Sequence, residues 1–314
     1  MSRQENSLRH FLSDNRRFAE LINRGIFGHE VLHADRLREL DSVFTDRFGR
    51  KLQRDIIKEY QDGHHSLILA LELQSVLCFY MPFRTLQYDY TQYDQQIEEI
   101  QRKNRENNLL RNGERMYWFS ESDRLIPIIT VMFYYGDSEW TGPAHLQDLY
   151  AWGASTQIFS DLALDYHLPI IDARHIPDVH LYTPDMAALF YALQFKNSKR
   201  KLLHFLQTTD TLRIPETVYH EIGQIIDDSE MAAQDLKQLA KGGYVCMCKA
   251  LDELRIEWNE QGKAAGIEEG KAAGEALLAK LILQLSQTNN LSEIVRVSQD
   301  VQHRQELYEK YHIL

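Results

Sequence analysis

Asp55, Glu72 and Gln74 are the residues of this chain whose types and spacing best suggest chemistry. They lie in two short apolar runs, RDIIKEY and SLILALELQ, separated by QDGHH. An Asp-Gly pair between such runs is a hairpin signal. A two-residue turn at Asp62-Gly63 would pair Gln61 with His64, Asp55 with Ala70 and Gln53 with Glu72. Side chains alternate along a strand and cross-strand partners share a face, so Asp55, Glu72 and Gln74 are expected to project from one side. Diagonal neighbours of this kind sit about 7–8 Å apart, close enough for two carboxylates to share one divalent cation. A slip of one residue would destroy the arrangement.

Glu72 interrupts a run that is otherwise apolar on both faces, the pattern of a central strand. An ionised carboxylate buried there without a partner costs several kcal/mol or becomes protonated. A bound Mg²⁺ resolves the problem, and so does a cation such as Lys51, Arg54 or Arg84. The residue pattern leaves both open.

The elements that must hold these residues follow from periodicity. Leu8, Phe11, Leu12, Phe18, Leu21 and Ile22 predict one opening helix over about Asn6 to Leu21. After the hairpin, Phe83, Leu86, Tyr90, Tyr93, Ile97 and Ile100 predict a helix from Tyr80 to about Gln101, with Pro82 tolerated near its start. Residues 103–124 are polar and contain Asn-Gly, which predicts a loop or small hairpin. LIPIITVMFYYG reads as a third core strand. A short helix near Ala144 to Trp152 and a strand near Leu168 to Asp172 would complete an α/β layer.

Beyond Thr183 the pattern is helical. Helices are expected over about Asp185 to Leu206, after Pro215, from about Tyr244 to Gln287, and from Leu291 to Tyr311. Gly262, Gly266, Gly270 and Gly274 recur every fourth residue, a spacing that packs membrane helices in apolar settings. Lys and Glu surround them here, so the expectation is a soluble helix whose small-residue stripe admits a partner helix.

A chain of 314 residues with 44% hydrophobic side chains can fill a sizeable core. The opening MSRQENSLRHFLSDNRRF lacks the apolar stretch of a secretory signal, and no window approaches the roughly 18 apolar residues of a membrane span. A cytoplasmic location with no membrane partner is expected. Cys78, Cys246 and Cys248 make neither a disulfide framework nor a zinc clip and read as structural thiols. The net charge of −11 opposes phosphate binding by the chain as a whole, but residues 1–60 carry 12 Lys/Arg against 10 Asp/Glu, which leaves room for a local basic surface.

DIIKEY, ELQS, MPFRTLQYDY and IPIITVMFYYGDSEW, in that order, resemble the Rpn family of recombination-promoting nucleases and transposase-like proteins, in the PD-(D/E)XK superfamily. The likeness runs over roughly Phe18 to His180, with a Y-x-G-x-x-x-W stretch at Tyr134, Gly136 and Trp140, and the Gly-rich charged tail also resembles the family. It implies an α/β restriction-endonuclease-like core over residues 1–180, with a central mixed sheet flanked by helices. A helical region over 181–243 would pack on that core, and a helical tail over 244–314 would form a homo-oligomer.

The implied activity is Mg²⁺-dependent DNA endonuclease chemistry, with Mn²⁺ as a substitute. Asp55 and Glu72, with the Leu73 carbonyl, would hold the metal, and Gln74 would orient water where the superfamily has lysine. An amide can position water by hydrogen bonding but carries no charge. Arg84 and Tyr88, four apart on the helix, are candidates for DNA phosphate binding; the alternative is an Arg neutralising Glu72 and a Tyr capping the core. Glu30 is a candidate third carboxylate on the N-terminal helical segment. The competing functional classes are a catalytically weak DNA-binding or partner-binding protein on the same fold, and a helical scaffold.

Overall fold

A computed structural model of the chain describes residues 3–107, 116–195, 212–227, 229–234, 236, 240–287, 291–311 and 313. They fall into two compact units, Met1–Ala250 and Leu251–Leu314.

The first unit opens with two helices, α1 (Arg3–Ser13) and α2 (Asn15–Ile22), where one was expected. Asp14 separates them, because its carboxylate accepts from Arg16 N and Arg17 N at 2.9 and 3.1 Å and so caps a new helix. Strands β1 (Leu37–Glu39), β2 (Val43–Thr45), β3 (Lys51–Gln53), β4 (Ile56–Asp62) and β5 (His65–Gln74) follow. Then come α3 (Met81–Asn107), β6 (Ile128–Tyr134), β7 (Ile170–Asp172) and α4 (Pro184–Phe195). The sheet is mixed, in the order β1-β4-β5-β6-β7. β1, β4 and β5 pair antiparallel, while β5 with β6 and β6 with β7 pair parallel.

Parallel neighbours need a long crossover, and between β5 and β6 it contains α3. Met81, Thr85 and Asp89, spaced by four, turn its buried stripe to the sheet. The opposite face is covered by α2 and α4: Lys58 of β4 lies over Phe18, and Phe133 of β6 meets Phe190 at 6.3 Å. Helix α3 outlasts its expected end and runs to Asn107, with Gln96 and Tyr93 bonded to the main chain of Ile126 and Ile128. Residues 108–115 of the expected loop lie outside the described residues. Only a 3₁₀ turn, Leu146–Leu149, stands where a short helix was expected.

The hairpin register differs from expectation by two residues. Asp62 pairs with His65, so Gly63 and His64 form the turn. Gly63 has φ +61° and His64 is not among the positive-φ residues, the pattern of a II′ turn with Gly in the first central place. A two-residue shift preserves parity, so Glu72 and Gln74 keep their face.

The unit closes with β8 (Arg213–Pro215), α5 (Glu216–Ile225), α6 (Ser229–Ala233) and β9 (Tyr244–Cys246), β8 pairing antiparallel with β9. The expected helix over Asp185 to Leu206 is observed to Phe195, and its remainder lies outside the described residues.

Helix α7 (Met247–Gln287) leads into the second unit, followed by α8 (Leu291–Gln299) and α9 (Val301–Lys310). Asp300 breaks the single closing helix that was expected by capping Gln302 N and His303 N. Leu281, Leu285, Val297, Leu307 and Tyr308 form the core of this unit. A Cβ added at Gly266, Gly270 or Gly274 would meet nothing within 4 Å among the described residues. No helix among the described residues is long and apolar enough to cross a membrane.

Candidate functional site

The candidate residues meet where β4 begins and β5 ends. Strand β4 starts only at Ile56, and Asp55 occupies a bend before it. That bend overturns the expectation that Asp55 projects beside Glu72 by regular alternation. Gln53 lies on the separate strand β3, paired with Val43 rather than with Glu72.

Arg54 enters the layer between β5 and α3 and is fully buried. Its Nη1 donates to Glu72 Oε1 at 3.2 Å and to Thr130 Oγ1 at 3.0 Å, and its Nη2 donates to Asp89 Oδ1. Thr130 Oγ1 donates to Asp89 Oδ1, and Tyr166 Oη to Asp89 Oδ2, both at 2.6 Å. The guanidinium carbon lies 5.9 Å from the Phe44 ring centre and 5.5 Å from that of Tyr88. Of the two solutions for Glu72, this conformation uses the cationic partner.

Asp55 turns the other way. Its Oδ2 accepts from Leu73 N at 2.8 Å, and the residue lines a cleft with Asn6, Arg9, His10 and Ser13 of α1. Ile68 N donates to Pro127 O just ahead of β6, so alternation directs Leu73 N toward the β4 side. The carboxylate thus stands in for a strand acceptor that the bend removes.

Charge is short of balance here. Burial pushes Glu72 up to about 7, with Arg54 pulling down and Asp55 pushing further up. Burial also raises Asp55, against the Leu73 hydrogen bond. Arg84 acts on both carboxylates from α3 and donates to Tyr88 Oη at 3.3 Å. Tyr166 is raised by burial and by Asp89.

Gln74 is buried, and its Nε2 donates to Val76 O at 2.7 Å, fixing the turn after β5. Gly136 follows β6 because a Cβ there would stand 2.6 Å from Ser75 O. Trp140 packs edge-on against Tyr134 at 5.1 Å, which accounts for the spacing of that motif. Glu30 is on no helix: it is exposed past α2 beside His33, which corrects its expected placement. His64 and His65 are exposed at the hairpin turn.

No family model, curated protein or solved structure matches this chain.

The residues suit a divalent cation in charge. Two buried acids, Glu72 and Asp89, share the fully buried guanidinium of Arg54, while the half-buried Asp55 lies on the α1 side of the same strand ends. Burial raises the proton affinity of Asp55 and Glu72, so these two carboxylates are short of positive charge, and a cation supplies it. Sequence reasoning missed Asp89, Thr130 and Tyr166. Asp89 could have been found from its spacing of four and eight from Thr85 and Met81, which puts an acid on the buried stripe of α3.

Proposed function

We propose that this chain is a metal-dependent DNA endonuclease of the recombination-promoting type, with a PD-(D/E)XK core. The observation that carries the reading is the charge shortage at Asp55 and Glu72, where β4 and β5 meet. The order of pieces supports it too: an acid at a strand start, E-x-Q at the end of the next strand, a crossover helix, then a parallel strand.

In this reading Asp55 and Glu72, with the Leu73 carbonyl, hold Mg²⁺ or Mn²⁺. The bound cation would polarise the scissile phosphate and acidify the attacking water. Gln74 orients that water through its amide, while Arg84 and Tyr88 bind the DNA phosphate. Nicking of supercoiled DNA with Mg²⁺ against EDTA tests the assignment. Loss of nicking in Asp55→Asn supports it, and retained metal-dependent nicking overturns it.

One observation favours a second reading, a catalytically weak DNA-binding or partner-binding protein. Arg54 already occupies Glu72 as an ion-pair partner, and Glu72 is 2% exposed. A mobility shift with DNA in EDTA, without cleavage in Mg²⁺, is the outcome that selects it.

A further inference from the structure

Arg54 is placed unlike an ordinary buried ion-pair partner. Its backbone belongs to the short link between β3 and β4 and to neither strand. Its Nη atoms reach Glu72, Thr130 and Asp89, but Nε is buried with no hydrogen-bond partner among the described residues. Buried donors are normally satisfied, so the guanidinium is held by an incomplete set of contacts. It nonetheless covers Glu72 Oε1 and Asp89 Oδ1, one acidic oxygen from β5 and one from α3.

Two positive charges cannot share that position without strong mutual repulsion in a region that excludes water. We infer that Arg54 is the built-in occupant that a divalent cation must displace from Glu72, so that Arg54 sets the cation affinity of the site. The inference deepens the proposed nuclease reading and rests on it for the identity of the ligand. When the guanidinium leaves, Glu72 Oε1 and Asp89 Oδ1 lose a donor together. The cation then gains ligands that the closed arrangement withholds. Arg54 is a positioning residue here, since it acts on the metal through the carboxylates.

The test uses the full chain and Mn²⁺ alone, followed by calorimetry and by the electron paramagnetic resonance of the free ion. The double variant Arg54→Gln/Asp89→Asn removes the guanidinium and one of its two acidic partners, so that the Glu72 carboxylate alone is left to take the cation. Its Mn²⁺ affinity is expected to exceed that of the parent at least tenfold, whereas Arg54→Lys stays near the parent. Equal or weaker binding in the double variant overturns the inference. A second readout needs no substitution: the Arg54 Nε–H resonance of the parent should shift during a Mg²⁺ titration that reaches saturation. A resonance that stays fixed while metal binds also overturns it.

Cleavage is scored separately. Tighter Mn²⁺ binding in the double variant with no DNA nicking in any variant sustains the role of Arg54 and removes the nuclease reading. Metal-dependent nicking by the parent, with Mn²⁺ affinity indifferent to Arg54, does the reverse. Absence of Mn²⁺ binding in both parent and double variant overturns both.

Discussion

Asp55 and Leu73 are joined across the hairpin by a 2.8 Å hydrogen bond from the Leu73 N–H to the Asp55 carboxylate. A side chain therefore completes the edge of β5 where β4 has not yet begun. Asp55→Ala should strip an acceptor from a buried backbone donor and cost about 1–3 kcal/mol. Asp55→Asn keeps an acceptor and should cost less, while removing the negative charge. Urea unfolding of both variants, beside nicking assays, checks the expectation that the two lose cleavage alike but differ in stability. Equal stability of the two would show that the hydrogen bond contributes little.

Glu72 gives the chain a pH dependence whose sign is fixed. Its folded-state pKa is raised from 4.5 to about 7, so between those values the folded state binds more protons than the unfolded one. Stability should fall as pH rises through that window and level off above it. The contribution amounts to about 3 kcal/mol, an order-of-magnitude figure from the shift. Glu72→Gln cannot ionise, so it should lack this component. Urea unfolding at pH 5 and pH 8 in EDTA should show the parent losing ground relative to Glu72→Gln. A constant difference between the two proteins would remove the assignment.

Gln74 separates positioning from packing. Its Nε2 is committed to Val76 O, so Gln74→Ala should loosen the turn as well as remove the proposed contact with water. A rate loss of about 10²–10³ is expected from one positioned group in comparable sites. Gln74→Lys retains a donor and adds charge beside the scissile phosphate, so its turnover at saturating Mg²⁺ should exceed that of the alanine variant. Turnover of Gln74→Ala equal to the parent would leave Gln74 a structural residue.

Gly136 tests the close approach behind β5. A methyl at this position would lie 2.6 Å from Ser75 O, and Ser75 is anchored because Tyr135 N donates to Gln74 O at 2.9 Å. Gly136→Ala should destabilise by about 1–3 kcal/mol through overpacking. Thermal unfolding is the check, and an unchanged midpoint would mean that the turn yields freely.

The helical end of the chain is expected to support self-association. Removing residues 251–314, the second compact unit, should lower the oligomeric state measured by light scattering. An oligomeric state unchanged by the truncation would refute that expectation.

What could be read beforehand depended on how local the signal was. SLILALELQ announced a central strand because both of its faces are apolar, and β5 does lie third among five strands. Helix α3 was legible from its period, although its polar last turns hid its true end at Asn107. The turn's register is ambiguous in the residues because Asp62-Gly63 and Gly63-His64 both suit a two-residue turn, and the chain puts its positive φ in the first central place. The bend at Asp55 left no mark in QRDII. Arg54 is one of three cations near enough in sequence to serve Glu72, whereas Tyr166 comes from a stretch without periodicity and reaches Asp89 only through tertiary packing.

The crossover between β5 and β6 also bears on the order of assembly. The β4–β5 hairpin closes a short loop, whereas β6 joins β5 only after α3 has been laid across it, and such distant pairing is slow. Until Thr130 arrives on β6 and Asp89 on α3, Glu72 and Arg54 can remain hydrated. Their dehydration is then deferred to the late side of the folding barrier. Substitutions at Arg54 should accordingly appear mainly as faster unfolding, with the refolding arm of a chevron plot nearly unmoved.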